Sequence, residues 1–520
     1  MSDFLAGLGV LVAAGGAAGA ILLPPGRLRS LAMLVALILF PVLILGDQWH
    51  SHQIVDLRHS SSRLVALGLV GAAITAALAY VFRRWPILLP LAIVAALPFR
   101  VPLHSGGDTA NLLVPLYLVI AGGVLAVVAR DWRSRPAGPV AAGDPPPLPV
   151  AKASSGAVPP TAPPPGGSAS WLPRILAAVV VLYAVQVLYS EDFSKGLQNV
   201  CFFFVPFSLV YGLLREVKWD RRLLTLVLWV VGIEAVCFVL VGSAEFVTKS
   251  LFWNDQVIRS NEFHTYFRVN SVFWDPNIYG RYLSLVAVVA MSALLWARER
   301  KTLALLTALV AVLWVGLVPT FSQSSFAALL AGLVVLAALR WSLKWTAIAA
   351  VGGVVLTMLI VTLAGSFSFD RINIDTSGRA NLVSGGVHLF TQRPIYGYGS
   401  GSFPKAYRKH VKTRKAPVSV SHTEPITVAA EQGFVGLVLY AALVVTALWT
   451  MAAGLRPSLS RARQVARAAT LATFVALIVH TMAYAGFYED PITWVLLAVS
   501  VSLAAADQRR VEPCPDTSVA

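Results

Sequence analysis

The feature that most constrains this chain is a succession of apolar stretches, each close to the length of a bilayer crossing. A helix needs about 20 predominantly apolar residues to cross the hydrocarbon core. Backbone in lipid must also satisfy its own hydrogen bonds, which leaves helices and closed barrels as the only spanning structures. Barrels show short alternating strands, so apolar runs near 20 residues exclude one. Fifteen stretches stand out, at 4–23, 30–46, 64–82, 86–99, 111–129, 171–189, 197–214, 223–247, 279–297, 302–319, 325–339, 344–364, 426–452, 465–486 and 491–507. The expected fold class is all-α, a polytopic transmembrane helical bundle of about 15 spans. Two spans are weak. Stretch 86–99 is short and holds Pro86, Pro90 and Pro98, and 325–339 is short enough to be tilted or partly re-entrant.

Composition agrees with this reading. Of the 520 residues, 57% are hydrophobic and only 13% are charged, against about 25% charged in soluble domains. An ordinary soluble enzyme, a disordered chain and a disulfide scaffold are therefore excluded. The net charge of +16 does not imply a nucleic-acid partner, because Lys and Arg of membrane proteins gather in loops and set topology. Cys201 and Cys237 fall in apolar spans and Cys514 in the tail, a pattern that suggests neither metal nor disulfide. Met1-Ser2-Asp3-Phe4 carries no basic n-region, so the N-terminus does not read as a cleaved signal peptide.

One set of alternate connections holds 24 of the 41 Lys and Arg, the other set 17. Nine of those 17 lie in one long loop, and long loops are poor topology markers. The richer side is expected in the cytoplasm, with the N-terminus outside and the C-terminus inside. Residues 133–170 contain 11 of the 31 prolines and read as a disordered cytoplasmic linker. The linker divides a five-span unit (1–132), rich in Gly and Ala, from a ten-span unit (171–507) and a cytoplasmic tail (508–520). Two large external loops, 248–278 and 366–425, are where function is expected.

Loop 366–425 has an internal order. Leu382, Val383, Val387, Leu389 and Phe390 are spaced as an amphipathic helix over 378–390, with Arg379 near its start. A turn-rich segment follows, from Arg393-Pro394-Ile395-Tyr396-Gly397-Tyr398 through Gly399-Ser400-Gly401-Ser402-Phe403. It lacks the dinucleotide-binding spacing and follows no strand. Its glycines are expected to let the chain turn tightly at a membrane surface. A second helix-like stretch, 404–415, carries Lys405, Arg408, Lys409, Lys412, Arg414 and Lys415. These cations suit either anionic lipid headgroups or the diphosphate of a lipid-linked substrate. The loop closes with Ser421-His422-Thr423-Glu424-Pro425. A lone loop histidine is usually solvated, but His422 stands where a polar loop meets a span. An ordinary imidazole pKa near 6.5 suits proton removal from a hydroxyl.

These residues carry a resemblance. His422-Thr423, nine further positions and Gly433-Phe434-Val435-Gly436-Leu437-Val438-Leu439 resemble the hallmark of the O-antigen ligase and polymerase family. That hallmark is a His, a small polar residue, nine positions and a Gly-x-x-Gly-x-x-Leu run. The segment 393–403 is similar to the family's Pro-hydrophobic-x-Gly-x-Gly-x-Gly-x-Phe element, and Ser377-Gly378-Arg379 to its arginine-bearing start. Arg268 with Phe273-Trp274-Asp275-Pro276-Asn277, and Tyr279-Gly280-Arg281-Tyr282-Leu283, resemble the family's Arg and Phe-x-x-Pro-Asn approach to a span. The resemblance covers about 260–490. It implies an all-helical membrane glycosyltransferase that moves a glycan from a polyprenyl diphosphate carrier to an acceptor on the outer face of the cytoplasmic membrane. Under it, His422 is the base and Arg379 contacts the donor diphosphate, with Arg281 or Arg268 assisting. Arg393, Tyr398, Lys405, Arg408 and Glu431 are further expected substrate contacts. Thr423 stands where Asn, Ser or Gln is usual. Phe321-Ser322-Gln323-Ser324-Ser325 aligns with a Ser-Arg-Gly element, with Ser325 in place of its arginine. The N-terminal unit and linker exceed the usual family length.

The chemistry expected is a single displacement with inversion, without cofactor. Asp275, Asp370, Asp375 and Glu424 are external carboxylates, but no Asp-x-Asp pair appears among them, so no metal site is expected. Glu234, Glu431, Arg281 and His480 fall inside spans, where ionisable groups are costly. Arg281 either pairs with Glu431 or shares an external cavity with Glu431 and His422. The rings between Asn261 and Tyr279 either stack on sugars or form an interfacial belt. Expected partners are the lipid-linked donor, a glycan, lipid or wall-polymer acceptor, and membrane lipids. The rival classes are a transporter or flippase of lipid-linked envelope precursors and a non-catalytic scaffold.

Overall fold

A computed structural model of the chain describes residues 3–49, 61–105, 108–133, 168–252, 254–263, 266–342, 344, 379–411, 421–453, 455 and 460–511. Seventeen helices are found among these residues. In the N-terminal stretch they are α1 (Asp3–Leu22), α2 (Arg27–Asp47), α3 (Ser61–Arg84), α4 (Leu88–Ala96) and α5 (Val114–Arg133). After the linker come α6 (Ser168–Val187), α7 (Phe193–Leu214, with a π turn at Val200–Phe204), α8 (Arg221–Thr248) and α9 (Asp255–Phe263). Then follow α10 (Pro276–Trp296), α11 (Arg300–Leu317), α12 (Gln323–Arg340), α13 (Arg379–Gln392) and α14 (Phe403–His410). The last three are α15 (Glu424–Ala453), α16 (Arg461–Thr481) and α17 (Pro491–Val511).

Eleven of these helices are long and apolar enough to cross a membrane. The expected count of about 15 is not reached among the described residues, where stretches 64–82, 86–99, 344–364 and 491–507 are not counted. Stretch 86–99 forms only the nine-residue α4, and Pro98 beyond it offers no N–H to continue the helical ladder. A two-stranded antiparallel hairpin follows, Val101–Ser105 against Asp108–Leu112, a small departure from an all-helical chain. The apolar part of α17 runs only from Pro491 to Ala506. Stretch 344–364 lies outside the described residues, apart from Lys344, as does the linker over 134–167. By contrast, the weak stretch 325–339 lies within the 18-residue α12, which is long and apolar enough to span.

The helix starts follow from local chemistry. Asp192, Asp220 and Asp275 each accept a backbone N–H with their side chains at the starts of α7, α8 and α10, satisfying donors that a first turn leaves unpaired. Pro276 occupies the first turn of α10, where no N–H is required. Packing forms two large clusters. The first joins α1, α2, α5, α6, α7 and α15–α17 around Ile21, Met33, Ile120, Leu176, Phe207 and Trp494. Small residues of α1, among them Ala13, Ala17 and Ala20, are fully buried in it, as close helix contacts in membranes favour. Helices from both sides of the linker thus share one core. The second cluster joins α8, α10, α11, α12 and α16 around Phe238, Tyr279, Leu283, Leu313 and Leu477.

Polar links identify the two ends of the bundle. At one end, Arg29 reaches Glu216 and the carbonyls of Gly212 and Ala20, while Arg215 reaches the carbonyls of Ile21 and Leu23. At the other end, Asp47 accepts from Ser194 Oγ at 2.9 Å and Gln198 Nε2 at 3.0 Å. The 393–403 segment meets the Ser190 turn at this second end, where Ser190 Oγ donates to the Ser400 carbonyl at 2.9 Å.

Candidate functional site

The loop between α8 and α10 is pinned from below. Glu245 Oε2 accepts from the backbone N–H groups of Asn270 at 3.1 Å and Ser271 at 2.7 Å. This brings Arg268 over the start of α10, where Nη2 donates to Asn277 Oδ1 at 3.2 Å and Nε to the Thr320 carbonyl at 2.9 Å. Asn277 Oδ1 also accepts from Ser322 Oγ at 2.9 Å, and Ser322 lies 2.8 Å from Ser325 Oγ and 3.2 Å from Ser324 Oγ. Ser324 Oγ in turn stands 3.2 Å from His480 Nε2. The serine-rich stretch is therefore a buried hydroxyl cluster joining α10, α12 and α16. The aromatic residues of the loop divide. Phe273 and Tyr279 stack at 5.5 Å inside the second core, while Tyr266 meets Phe321 in a tilted contact at 4.6 Å, both exposed.

His422 sits in a turn at φ 62°, a region that His tolerates better than most side chains. Thr423 Oγ1 ties this turn to the Met482 carbonyl at 3.0 Å. Glu424, expected as an external carboxylate, is buried and accepts the N–H groups of Gly486 at 2.7 Å and Phe487 at 3.0 Å. Two chain segments are thereby clamped together, and the His422 ring lies 6.1 Å from that of Tyr484. Tyr484 lies 5.9 Å from His480. Burial, first, and nearby Asp275 raise the Tyr484 pKa above its ordinary value, and Arg281 opposes them.

Arg281 does not pair with Glu431. Its Nη2 lies 2.9 Å from Asp490 Oδ2, with both side chains at least 95% buried. Asp490 also accepts the Ile492 N–H at the start of α17 at 2.9 Å. A cleft beside this pair is lined by Leu97, Pro98, Arg100, Tyr282 and neighbours. Glu431 has a different task, because its carboxylate accepts the N–H groups of Gly401 at 2.8 Å and Phe403 at 3.0 Å. That role gives both of its carboxylate oxygens backbone partners.

The glycine segment locks onto a break in α15. Gly433 interrupts that helix at φ 66° and ψ −162°. The freed groups are satisfied across the junction. Phe434 N–H donates to the Pro394 carbonyl at 2.7 Å, and Gly399 N–H to the Glu431 carbonyl at 2.8 Å. A Cβ on Gly433 would lie 2.3 Å from the Ile395 carbonyl oxygen, and one on Gly397 2.3 Å from that of Glu431. Tyr398 is buried beneath this junction and donates to Gln392 Oε1 at 2.6 Å. The Arg393 guanidinium lies 4.4 Å above the Tyr398 ring, and its Nη2 is 3.6 Å from Glu191. Lys409 and His410 approach the same carboxylate, at 3.5 and 3.4 Å. Lys405 and Arg408 are exposed on α14, which ends at His410, short of the expected 415; residues 412–420 lie outside the described residues. Arg379 opens α13, and its side chain is also outside them.

Arg268, Arg281 and His422 thus converge with His480 at one end of the bundle, while Arg393, Tyr398 and Glu431 belong to the adjoining glycine junction. Sequence reasoning missed Tyr484, Asp490 and Arg100. An Asp before a Pro that opens an apolar run is an N-cap pattern, which could have drawn notice to Asp490. Arg100 carries no local signal at all. Comparison with curated proteins finds no match. Residues 308–441 match a family model described as O-antigen ligase, a stretch that includes the serine cluster, the glycine junction and His422. The chain therefore carries, over residues 308–441, a domain similar to the O-antigen ligase family, set among helices long and apolar enough to cross a membrane.

Proposed function

We propose that the chain transfers a glycan from a polyprenyl-diphosphate carrier to an acceptor hydroxyl, at the outer face of the cytoplasmic membrane. The observation that carries this reading is the placement of His422 beside Tyr484, at the bundle end that also holds Arg281. His422 takes the proton of the acceptor hydroxyl, whose oxygen attacks the anomeric carbon. The bond from that carbon to the diphosphate breaks, and the polyprenyl diphosphate leaves with the electron pair. The sugar carbon inverts in this single displacement. Cations nearby stabilise charge growing on the leaving group, with Arg281, Arg268 and Arg379 as the assigned clamp. No metal is required, because the guanidinium groups take that electrostatic role. The excess of Lys and Arg on alternate connections supports a cytoplasmic C-terminus and an external N-terminus.

The test resolves products by mass in membranes holding the protein, a polyprenyl-diphosphate oligosaccharide and candidate acceptors. Wild type should form a product that His422→Ala does not. A ladder of repeats marks a polymerase, a single addition marks a ligase. Wild-type turnover in the variant sinks the assigned role of His422. Activity abolished by EDTA and restored by magnesium overturns metal independence.

A further inference from the structure

The N-terminal helices lie outside the O-antigen ligase match at 308–441, yet they deliver a cation to the candidate site. Three residues separate Arg100 from the end of α4. The preceding ring of Phe99 packs edge-on against Phe238 of α8 at 5.7 Å, and Leu97 and Pro98 line the same cleft wall as Arg100. The charged residues lining that cleft are Arg100, Arg281 and Asp490, two guanidinium groups against one carboxylate. Arg281 uses Nη2 on Asp490. Its Nη1 is buried with no hydrogen-bond partner in a side chain 95% buried. A buried donor left without a partner is costly. Burial, foremost, and the like charge of Arg281 lower the Arg100 pKa, with Asp490 opposing them. Both features are relieved by an anion in the cleft.

Tyr484 lies within electrostatic reach of both Arg100 and Arg281 and beside His422, so the cleft adjoins the proposed base.

We propose that Arg100 and Arg281 form an anion subsite that binds a phosphate of the donor diphosphate, with the N-terminal helices supplying half of it. Planar guanidinium forks match phosphate oxygens in pairs. This proposal rests on the glycosyl-transfer reading above, so its test separates the two.

Full-length protein in nanodiscs is assayed against donor concentration at saturating acceptor, for wild type, Arg100→Ala, Arg100→Lys and Arg100→Gln. Loss of charge-assisted hydrogen bonds should lower kcat/KM for donor about ten- to a hundredfold. Arg100→Lys should recover part of this, and KM for acceptor should stay unchanged. In parallel, inorganic diphosphate should raise the unfolding midpoint of wild type and not that of Arg100→Ala. Wild-type donor kinetics in Arg100→Ala overturn the proposal. If that variant does not fold, wild-type donor kinetics in Arg100→Gln do the same. Equal diphosphate protection with and without the Arg100 charge also overturns it, and leaves Arg100 a structural role. Should wild type transfer no glycan while diphosphate still protects through Arg100, the subsite stands and the glycosyl-transfer reading falls.

Discussion

Arg281 and Asp490 show how one buried ion pair can organise both a helix start and a site. Asp490 caps α17 with one oxygen and holds Arg281 with the other. Removing one member of a buried pair leaves an uncompensated charge, at about 3–5 kcal/mol. Asp490→Ala should therefore lower the unfolding midpoint sharply in detergent, and Asp490→Asn by less, because the amide oxygen still caps the helix. His422 is expected to behave in the opposite way. Its side chain is only partly buried, so His422→Asn should keep the turn at φ 62°, which Asn also tolerates. Turnover should fall about 10²–10⁴-fold, the usual contribution of a general base, with an unchanged unfolding midpoint. Unfolding and product formation measured on one preparation check both statements.

At the scale of elements, the break in α15 explains the glycine pattern on both sides of His422. A helix interrupted inside a bundle must have its freed backbone groups satisfied by protein. Here the 393–403 segment does so. A side chain at φ near +66° costs about 1–2 kcal/mol, before counting the clash with the Ile395 carbonyl. Gly433→Ala and Gly397→Ala should each destabilise by more than about 1 kcal/mol. Together they should cost less than their sum, because both disrupt one junction. Unfolding of the two single variants and the double variant measures that coupling. The tight turn at 393–403 was legible from its glycines. Its partner was not, because residues 394–399 and 431–435 meet only once the chain is folded. For the same reason the backbone groups that Glu431 accepts from, those of Gly401 and Phe403, were not legible in the sequence.

At the scale of the molecule, the shared core joins helices that the linker separates. Ile21 and Met33 pack in the same cluster as Leu176, Phe207 and Trp494. A chain beginning at 168 would expose that apolar face, and should express poorly or unfold at a much lower midpoint. Two fragments divided within the Pro-rich linker should reassemble when co-expressed, because the contacts that join them are non-covalent and extensive. Copurification of the fragments with recovered product formation checks this. Loss of assembly would show that the linker does more than connect.

The apolar runs were sufficient to reveal a helical membrane bundle, because bilayer thickness and backbone hydrogen bonding leave few alternatives, and the two glycine elements its likeness to the O-antigen ligase family over 308–441. His422 stood out for a related reason, since its spacing to Gly433 is local. The tertiary structure alone decided which charges meet. Arg281 found Asp490 rather than Glu431, and Arg100 reached the cleft from the far side of the linker. Pairing of this kind depends on how helices distant in sequence pack side by side, a property that no local pattern of residues encodes.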